Sequence, residues 1–430
     1  MNTNEIFWVT LSFIVLCAIG VPVFVVVGIS TIVGLYLLDI PLTLLAQTGF
    51  TSLQPFPLLT IPLFVLAGQL MEKGGTADPL IKVAQALIGA YKGSLSIVTI
   101  LACAFFAALS GSGPATTVAI GSITIPPMER EGYSASFSAA VAAAAGALGS
   151  MIPPSNLMII YCLVADESIP RLFLAGFGPG LLITALLIVT AIIIAKKRNY
   201  GGGGQKFDPR KLFNAIWEAK WALCTPAIIF GGIYGGIFTP TEAAAVAVFY
   251  AVFSGLFLYG KLTAKDIYSS FRATALMAGL LLLLTPTIAF GQLIAFLNLP
   301  KEVQQVFSQI TQNPLIVMFF IGALYIFLGT FMESLAQIII FTPVLLPVVK
   351  SLGIDPILFG VFTVATCEIG FLTPPVGANL NVASRLTTAT FEQISLSVLP
   401  FLASYMIVMC LIVVFPNLAL WIPNFFFGAR

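Results

Sequence analysis

Long apolar runs separated by short polar turns make up most of this chain, and Ser395–Phe415 is a clear example. Many of the runs have about 15 to 25 residues. At a helical rise of about 1.5 Å per residue, such a run matches the thickness of the hydrocarbon core of a bilayer. The pattern therefore predicts an all-α protein that crosses a membrane several times.

Paired prolines interrupt two of these runs where a continuous helix would otherwise be expected. The interruptions are Gly149-Ser-Met-Ile-Pro-Pro-Ser-Asn156 and Gly370-Phe-Leu-Thr-Pro-Pro-Val-Gly-Ala-Asn-Leu-Asn381. Proline lacks the backbone N–H and clashes with the preceding turn, and it disfavours helical geometry in the residue before it. Both helices must therefore break, which frees backbone carbonyls that have to be buried in protein or line a polar cavity.

The two breaks belong to an internal repeat. One offset of 221 positions relates six Gly or Pro pairs: Gly149 and Gly370, Pro153 and Pro374, Pro154 and Pro375, Pro126 and Pro347, Gly132 and Gly353, and Pro179 and Pro400. We predict repeats over residues 50–195 and 271–425, N-terminal membrane helices in residues 1–49, and a connecting region over residues 196–270. Matched broken segments in two halves point to the binding site of a secondary transporter.

Each repeat also contains an apolar piece that is too short to cross a bilayer. About ten residues separate the Ser110–Pro114 stretch from Pro126, which suggests a re-entrant hairpin near residues 94–127 with its tip at Ser110–Pro114. Its counterpart near residues 314–347 has its tip at Gly329–Ser334. We expect both tips and both breaks to meet at one substrate site that faces either side of the membrane in turn.

Composition excludes several classes of function. The 430 residues are 59% hydrophobic and 8% charged, with a mean hydropathy of +1.05. Histidine is absent, which excludes His-dependent catalytic triads and His-ligated metal or haem, and the six cysteines have no disulfide or metal spacing. No phosphate-loop pattern and no basic stripe typical of nucleic-acid binding occur. We expect no cofactor other than coupling ions, and no enzyme activity.

Polar segments outside the membrane runs are few. The loop over residues 196–211 carries six of the 19 Lys and Arg residues against Asp208 alone, so the positive-inside rule predicts a cytoplasmic position for it. Glu72-Lys-Gly-Gly75 is interpreted as a surface turn. Glu242 follows Thr239-Pro-Thr at a helix start, where it serves either the helix dipole or function.

The tips and breaks supply groups for an anion and for a small hard cation such as sodium. Helix N-termini attract anions, whereas freed carbonyls and side-chain oxygens coordinate the cation. Candidate sodium-site residues are Ser110, Ser112, Pro153, Asn156, Gly329, Thr330, Glu333, Thr373, Gly377 and Asn379. Candidate substrate-site residues are Ser112, Gly113, Ser155, Thr373 and Arg385. The alternative is that the prolines only kink helices. The same set of polar residues occurs in both repeats, and this duplication favours a binding site.

Three ionisable residues, Glu333, Glu368 and Arg385, fall near the predicted membrane depth, where charge is expensive and often functional. Arg385 has two possible partners, a substrate carboxylate or Glu368, and the sequence leaves both open.

Several motifs together resemble the large membrane subunit of a tripartite ATP-independent periplasmic (TRAP) transporter. They are Ser-Gly-Ser-Gly-Pro-Ala at 110–115, Pro-x-Met-x-Arg-x-Gly-Tyr at 126–133, Pro-Pro-Ser-Asn at 153–156, Thr-Pro-Thr-Glu-Ala-Ala at 239–244, and Gly-Ile-Asp-Pro with Gly-x-Leu-Thr-Pro-Pro-Val-Gly-x-Asn within 353–379. Glu333 departs from the family pattern, in which Asp is common. Both side chains coordinate sodium, so the departure concerns substrate preference and not the fold.

The resemblance implies sodium-coupled uptake of an organic acid anion across a bacterial inner membrane. It further implies a soluble periplasmic binding protein, a separate small subunit of four membrane helices, and inverted repeats that form a scaffold and a mobile, elevator-type transport domain. C4-dicarboxylates, sialic acid and sugar acids all fit as substrates. A stand-alone sodium–dicarboxylate symporter is the alternative. An intramembrane hydrolase using Ser110 or Ser112 is disfavoured by the lack of histidine and by the repeated site.

Overall fold

The computed structural model describes residues 3–88, 92–201 and 207–428, and throughout these ranges the regular structure is helical, with no strand. The predicted all-α membrane fold is confirmed. Within the same ranges, six helical segments are long and apolar enough to cross a membrane: Phe56–Lys73, Ala135–Ala165, Ile169–Arg198, Pro240–Leu258, Ser334–Ser351 and Phe391–Val414. Ser334–Ser351 continues through Pro343 and Pro347, so the expectation that the apolar piece after the second hairpin tip is too short to cross a bilayer is wrong.

Proline and glycine set the ends of the first helices. The N-terminal part contains α1 (Thr3–Ala18), α2 (Val23–Leu37), α3 (Thr43–Ser52), α4 (Thr60–Lys73) and α5 (Ala77–Ile88). Gly20 adopts a positive φ of 79° and Pro22 precedes α2, so the first apolar run is divided into two helices.

The first predicted repeat forms a hairpin, a broken helix and a long helix. After the end of α3, α4 and α5, which also fall within residues 50–195, its elements are α6 (Ser94–Ser110), α7 (Gly113–Arg130), α8 (Ala135–Gly146), α9 (Leu148–Met151), α10 (Asn156–Ala165) and α11 (Ile169–Arg198). The Gly111–Ser112 turn joins α6 to α7, and the Pro153–Pro154 pair separates α9 from α10. Residues 202–206 of the predicted cytoplasmic loop lie outside the described ranges.

The second predicted repeat has the same order of elements after a connecting region. The connecting region holds α12 (Pro209–Tyr234), α13 (Pro240–Phe253) and the start of α14 (Ala264–Leu280). The second repeat continues with α15 (Leu284–Phe296), α16 (Leu299–Ile310), α17 (Pro314–Gly329), α18 (Ser334–Ser351), α19 (Pro356–Phe371), α20 (Ala378–Ser384), α21 (Phe391–Val414) and the start of α22 (Asn417–Phe427). The predicted boundaries at residues 50 and 271 fall inside α3 and α14. The division into domains stays a prediction.

The two repeats interlock through their broken helices. Helix α10 packs against α18, and α20 packs against α7 and α8. Long-range hydrogen bonds join the halves: the Tyr161 hydroxyl donates to the Pro356 carbonyl at 2.6 Å, and the Tyr405 hydroxyl donates to the Ala144 carbonyl at 2.9 Å. Helix α8 is almost entirely Ala, Ser and Gly and is nearly all buried, which permits the close helix approach.

Candidate functional site

The first hairpin tip is tied to the first helix break by backbone hydrogen bonds. The Asn156 N–H, just after the break, donates to the Gly111 carbonyl at 3.2 Å. The Gly113 N–H donates to the Ser150 hydroxyl at 3.2 Å, and the Ser110 hydroxyl pairs with Thr116 at 2.5 Å. Backbone N–H and C=O groups that the turn leaves without helical partners thus form hydrogen bonds with residues of the break. Such partners are required in a bilayer, where water is absent.

The second tip and break make the equivalent connection. The Val376 N–H donates to the Thr330 carbonyl at 3.2 Å. Thr373 donates its hydroxyl to the Ile369 carbonyl at 2.6 Å, and the Gln337 side chain donates to the Met332 carbonyl at 3.0 Å. Both Pro–Pro peptide bonds, at 153–154 and 374–375, are cis.

Glycines allow each tip to lie directly against the helix that precedes each break. A Cβ on Gly149 would lie 2.7 Å from the Ser112 carbonyl carbon, and a Cβ on Gly370 would lie 2.6 Å from the Gly329 Cα. Real Cβ atoms do not come this close to other carbons. The glycine pair found by the internal offset therefore has one shared role, which is the contact with its own hairpin tip.

The two repeats meet at the start of α7. A Cβ on Gly113 would lie 3.1 Å from both the Asn379 Nδ2 and the Glu368 Oε2 atoms. Asn379 donates to the same Glu368 oxygen at 3.4 Å. Gly113 of the first tip therefore touches a polar pair from the second broken helix.

A cavity of about 350 Å³ lies between the two tips. Its polar lining comes from both repeats, and in the first repeat from α4 as well as from the hairpin and the break: Gln69, Glu72, Ser110, Ser112, Ser150, Asn156, Glu333, Ser334 and Glu368. The side chains of Phe106 and Phe371 supply apolar wall. The helices α7, α10 and α18 begin at this cavity, so three positive helix ends face it.

Several buried oxygens at this meeting point have no hydrogen-bond partner within the described ranges. They are Asn156 Oδ1, Asn379 Oδ1 and Glu368 Oε1. Asn156 is 8% exposed, and Asn379 and Glu368 are both 0% exposed. Since an unsatisfied buried acceptor is costly, oxygens left open in this way suit a bound cation.

Comparison with known proteins assigns the chain to a family. The model of the tripartite ATP-independent periplasmic transporter, DctM component, matches residues 10–418. The chain belongs to this family of TRAP transporters.

Relatives match over most of the chain. The isethionate TRAP transporter permease protein DctMQ of Oleidesulfovibrio alaskensis is 41% identical over 97% of the chain, which spans 65% of that relative's length. The C4-dicarboxylate TRAP transporter large permease protein DctM of Rhodobacter capsulatus is 35% identical, covering 96% of the chain and 97% of the relative. The fold is also similar to that of the YdaH transporter of Alcanivorax borkumensis, with a TM-score of 0.62 and 17% identity over 92% of this chain and 90% of that one.

In this TRAP family member, four predicted sodium-site residues line the cavity: Ser110, Ser112, Asn156 and Glu333. Gly113 and Asn379 lie immediately beside it, in contact with Glu368. The other candidates at the tips and breaks do not belong to its lining: Pro153, Ser155, Gly329, Thr330, Thr373 and Gly377. Their part in binding stays a prediction.

Two charged residues lie elsewhere. Arg385 is exposed at the C-terminal end of α20, and among the described residues it forms no ion pair with buried Glu368. The alternative in which the two residues pair is therefore wrong for this conformation. Glu242 completes a capping box, accepting from the Thr239 N–H at 2.8 Å, so it serves the start of α13.

The sequence patterns missed three polar residues of the cavity. Glu72 lines the cavity from the last turn of α4, so its interpretation as part of a surface turn was wrong. Gln69 lies one turn earlier, and Ser150 directly follows Gly149 in the first break. A search for polar positions on the inward face of α4 finds Gln69 and Glu72, because they are three residues apart and share a face.

Proposed function

We propose that this chain is the sodium-coupled permease subunit for a small organic acid that a periplasmic binding protein delivers. The main support is that two hairpin tips and two broken helices converge on one cavity. Buried side-chain oxygens at this place have no hydrogen-bond partner in the described part of the chain. Secondary transporters bind a substrate and its coupling ion together at a site of this kind, near the middle of the membrane.

Sodium coupling is supported by the oxygens that follow the breaks. Asn156 and Asn379 occupy similar places after the first and second Pro–Pro pairs, and the Oδ1 atom of each is buried without a partner. Sodium prefers such neutral oxygens together with freed carbonyls. We propose one sodium near each break, with Glu368 or Glu333 available as a charged ligand.

The acid is proposed to bind with its anionic group at the helix starts. Gly113 and Ser334 begin α7 and α18 at the tips, where the helix dipoles favour an anion. Relatives are named for isethionate, C4-dicarboxylates, sialic acid and ectoine, all small organic acids. The substrate of this chain is proposed to fall in the same size class.

An elevator-type movement between a scaffold and a transport domain is proposed to expose the site to either side. The matched repeats support it, since two equivalent halves allow two conformations of similar energy. The proposed assembly has a small membrane subunit of four helices and a periplasmic binding protein, in a bacterial inner membrane.

Uptake into proteoliposomes tests the proposed function. Large and small subunits are reconstituted together, with an imposed sodium gradient, and labelled acid is offered with and without the binding protein encoded alongside them. Uptake that needs both the gradient and the binding protein supports the proposal. Uptake without the binding protein would instead indicate the stand-alone symporter, and uptake that needs internal ATP would refute sodium coupling.

A further inference from the structure

A crevice of about 620 Å³ lies between α5 and α12 and shares no lining residue with the cavity between the tips. Three lysines and two acids make up its charged lining: Lys82, Lys220, Lys261, Asp78 and Glu218. The Lys82 and Glu218 side chains form an ion pair at 2.7 Å, and Lys261 pairs with Asp78 at 2.6 Å. Each carboxylate thus has its own lysine, and Lys220 is the surplus positive charge of the crevice.

Two tryptophan rings hold this surplus lysine in place. The Lys220 Nζ atom lies 3.7 Å from the centroid of the Trp217 ring and 5.0 Å from that of the Trp221 ring. Among the described residues, Lys220 forms no ion pair. An ammonium group has three N–H donors, and contact with ring faces leaves donors for the oxygen of an anion. The crevice therefore presents one positioned cation without an anionic partner from the described chain.

The rest of the lining is largely apolar, and its surroundings are those of a membrane interface. The further lining residues are Gly75, Pro79, Ile81, Ile123, Leu258 and Tyr259. Trp217 is 62% exposed, and Phe213, one turn earlier in α12, is 66% exposed. Exposed aromatic rings beside lysines are typical of the headgroup level of a bilayer. An occupant of the crevice thus meets a cation and an apolar floor together.

The crevice lies on the side of the membrane that the sequence predicts to be cytoplasmic. Helix α12 begins at Pro209, inside the loop over residues 196–211 with its six Lys and Arg residues. The cytoplasmic leaflet carries anionic lipids, which attract Lys and Arg at the membrane surface. A free phosphate ion would satisfy Lys220 and leave the apolar floor uncovered, whereas a phospholipid satisfies both.

We propose that the crevice between α5 and α12 binds an anionic phospholipid of the cytoplasmic leaflet. The lipid phosphate accepts hydrogen bonds from Lys220, and the upper part of an acyl chain lies along Ile123 and Leu258. Helix α5 precedes the first hairpin and packs against both α6 and α12, so the lipid stabilises the contact of the hairpin with the connecting region. This site is separate from the cavity between the tips and depends on neither the proposed sodium sites nor the substrate.

A lipid titration of the purified complex of large and small subunits in detergent tests this inference. Phosphatidylglycerol or phosphatidylcholine with the same acyl chains is added, and native mass spectrometry measures the lipid concentration at which half of the complexes carry bound lipid. We expect phosphatidylglycerol to act at about fivefold lower concentration, which corresponds to the attraction of one lysine to an anionic membrane surface. The preference should weaken as salt is raised, because salt screens charges at the surface.

Lys220→Gln should remove most of this preference, and Lys220→Arg should retain it because the charge is kept. Lys301→Gln is the matched control, since Lys301 is an exposed lysine of α16 outside the crevice, and it should behave as the wild type. Equal action of the two lipids on the wild type, or an unchanged preference in Lys220→Gln, would overturn the inference. Displacement of phosphatidylglycerol by an equal concentration of glycerol phosphate would also overturn it, because the site would then bind a soluble anion.

Discussion

Gly370→Ala tests the contact between the second hairpin tip and its broken helix. The new Cβ would lie 2.6 Å from the Gly329 Cα and 3.0 Å from the Gly329 carbonyl carbon. Carbon atoms pack at about 3.5 to 4.0 Å, so the two backbones must separate by roughly 1 Å. Overpacking of this kind costs about 1 to 3 kcal/mol.

The separation also affects the site. The Val376 N–H and the Thr330 carbonyl are 3.2 Å apart, and a displacement of roughly 1 Å takes them beyond hydrogen-bonding distance. We therefore expect Gly370→Ala to lower the midpoint of thermal unfolding by several degrees and to abolish most of the proposed sodium-driven uptake. Gly149→Ala should behave similarly, because its Cβ would lie 2.5 Å from Thr116 Oγ1 and 2.7 Å from the Ser112 carbonyl carbon.

Gly231→Ala is the matched control, since nothing lies within 4 Å of a Cβ at that position of α12. Alanine has the higher helix propensity, so the control should be at least as stable as the wild type. The assays are thermal unfolding of the purified complex and uptake into proteoliposomes. If Gly370→Ala matches Gly231→Ala in both assays, the close approach of tip and break does not matter and the reasoning fails.

Three further predictions concern ions, access and stability. Asn156→Ala and Asn379→Ala should each raise the sodium concentration for half-maximal uptake, because each removes a proposed ligand; unchanged sodium dependence in both would contradict this. Cysteine in place of Ser112 or Glu333 should become reactive from opposite sides of the membrane as sodium and acid are varied, and labelling from one side only during active transport would exclude a moving site. Glu242→Ala should lower thermal stability slightly through the lost capping box and leave sodium dependence unaltered, whereas altered sodium dependence would give Glu242 a functional role.

The element pattern of the fold follows from local chemistry that the sequence displays directly. Apolar runs of membrane length form helices, and the chain leaves the helical conformation at the prolines at 153–154 and 374–375, which lack a backbone N–H. Proline alone does not decide this, because α7 continues through Pro126 and Pro127. Glycine at position 111 provides a turn with φ of 63° between α6 and α7. These features depend on a few neighbouring residues. The positions of the hairpin tips, of the breaks and of Gly149 and Gly370 could therefore be predicted from the sequence.

Only the tertiary structure decided which polar groups face one another. The contact of Gly113 with Asn379 and Glu368 joins residues far apart in the chain, and it depends on how α20 packs against α7. Glu72 lines the cavity because α4 lies beside the first hairpin, and Arg385 lies outside it because α20 ends pointing that residue to the exterior. Side-chain burial of this kind results from helix packing in three dimensions, and a linear pattern of apolar runs carries no information on which helices become neighbours.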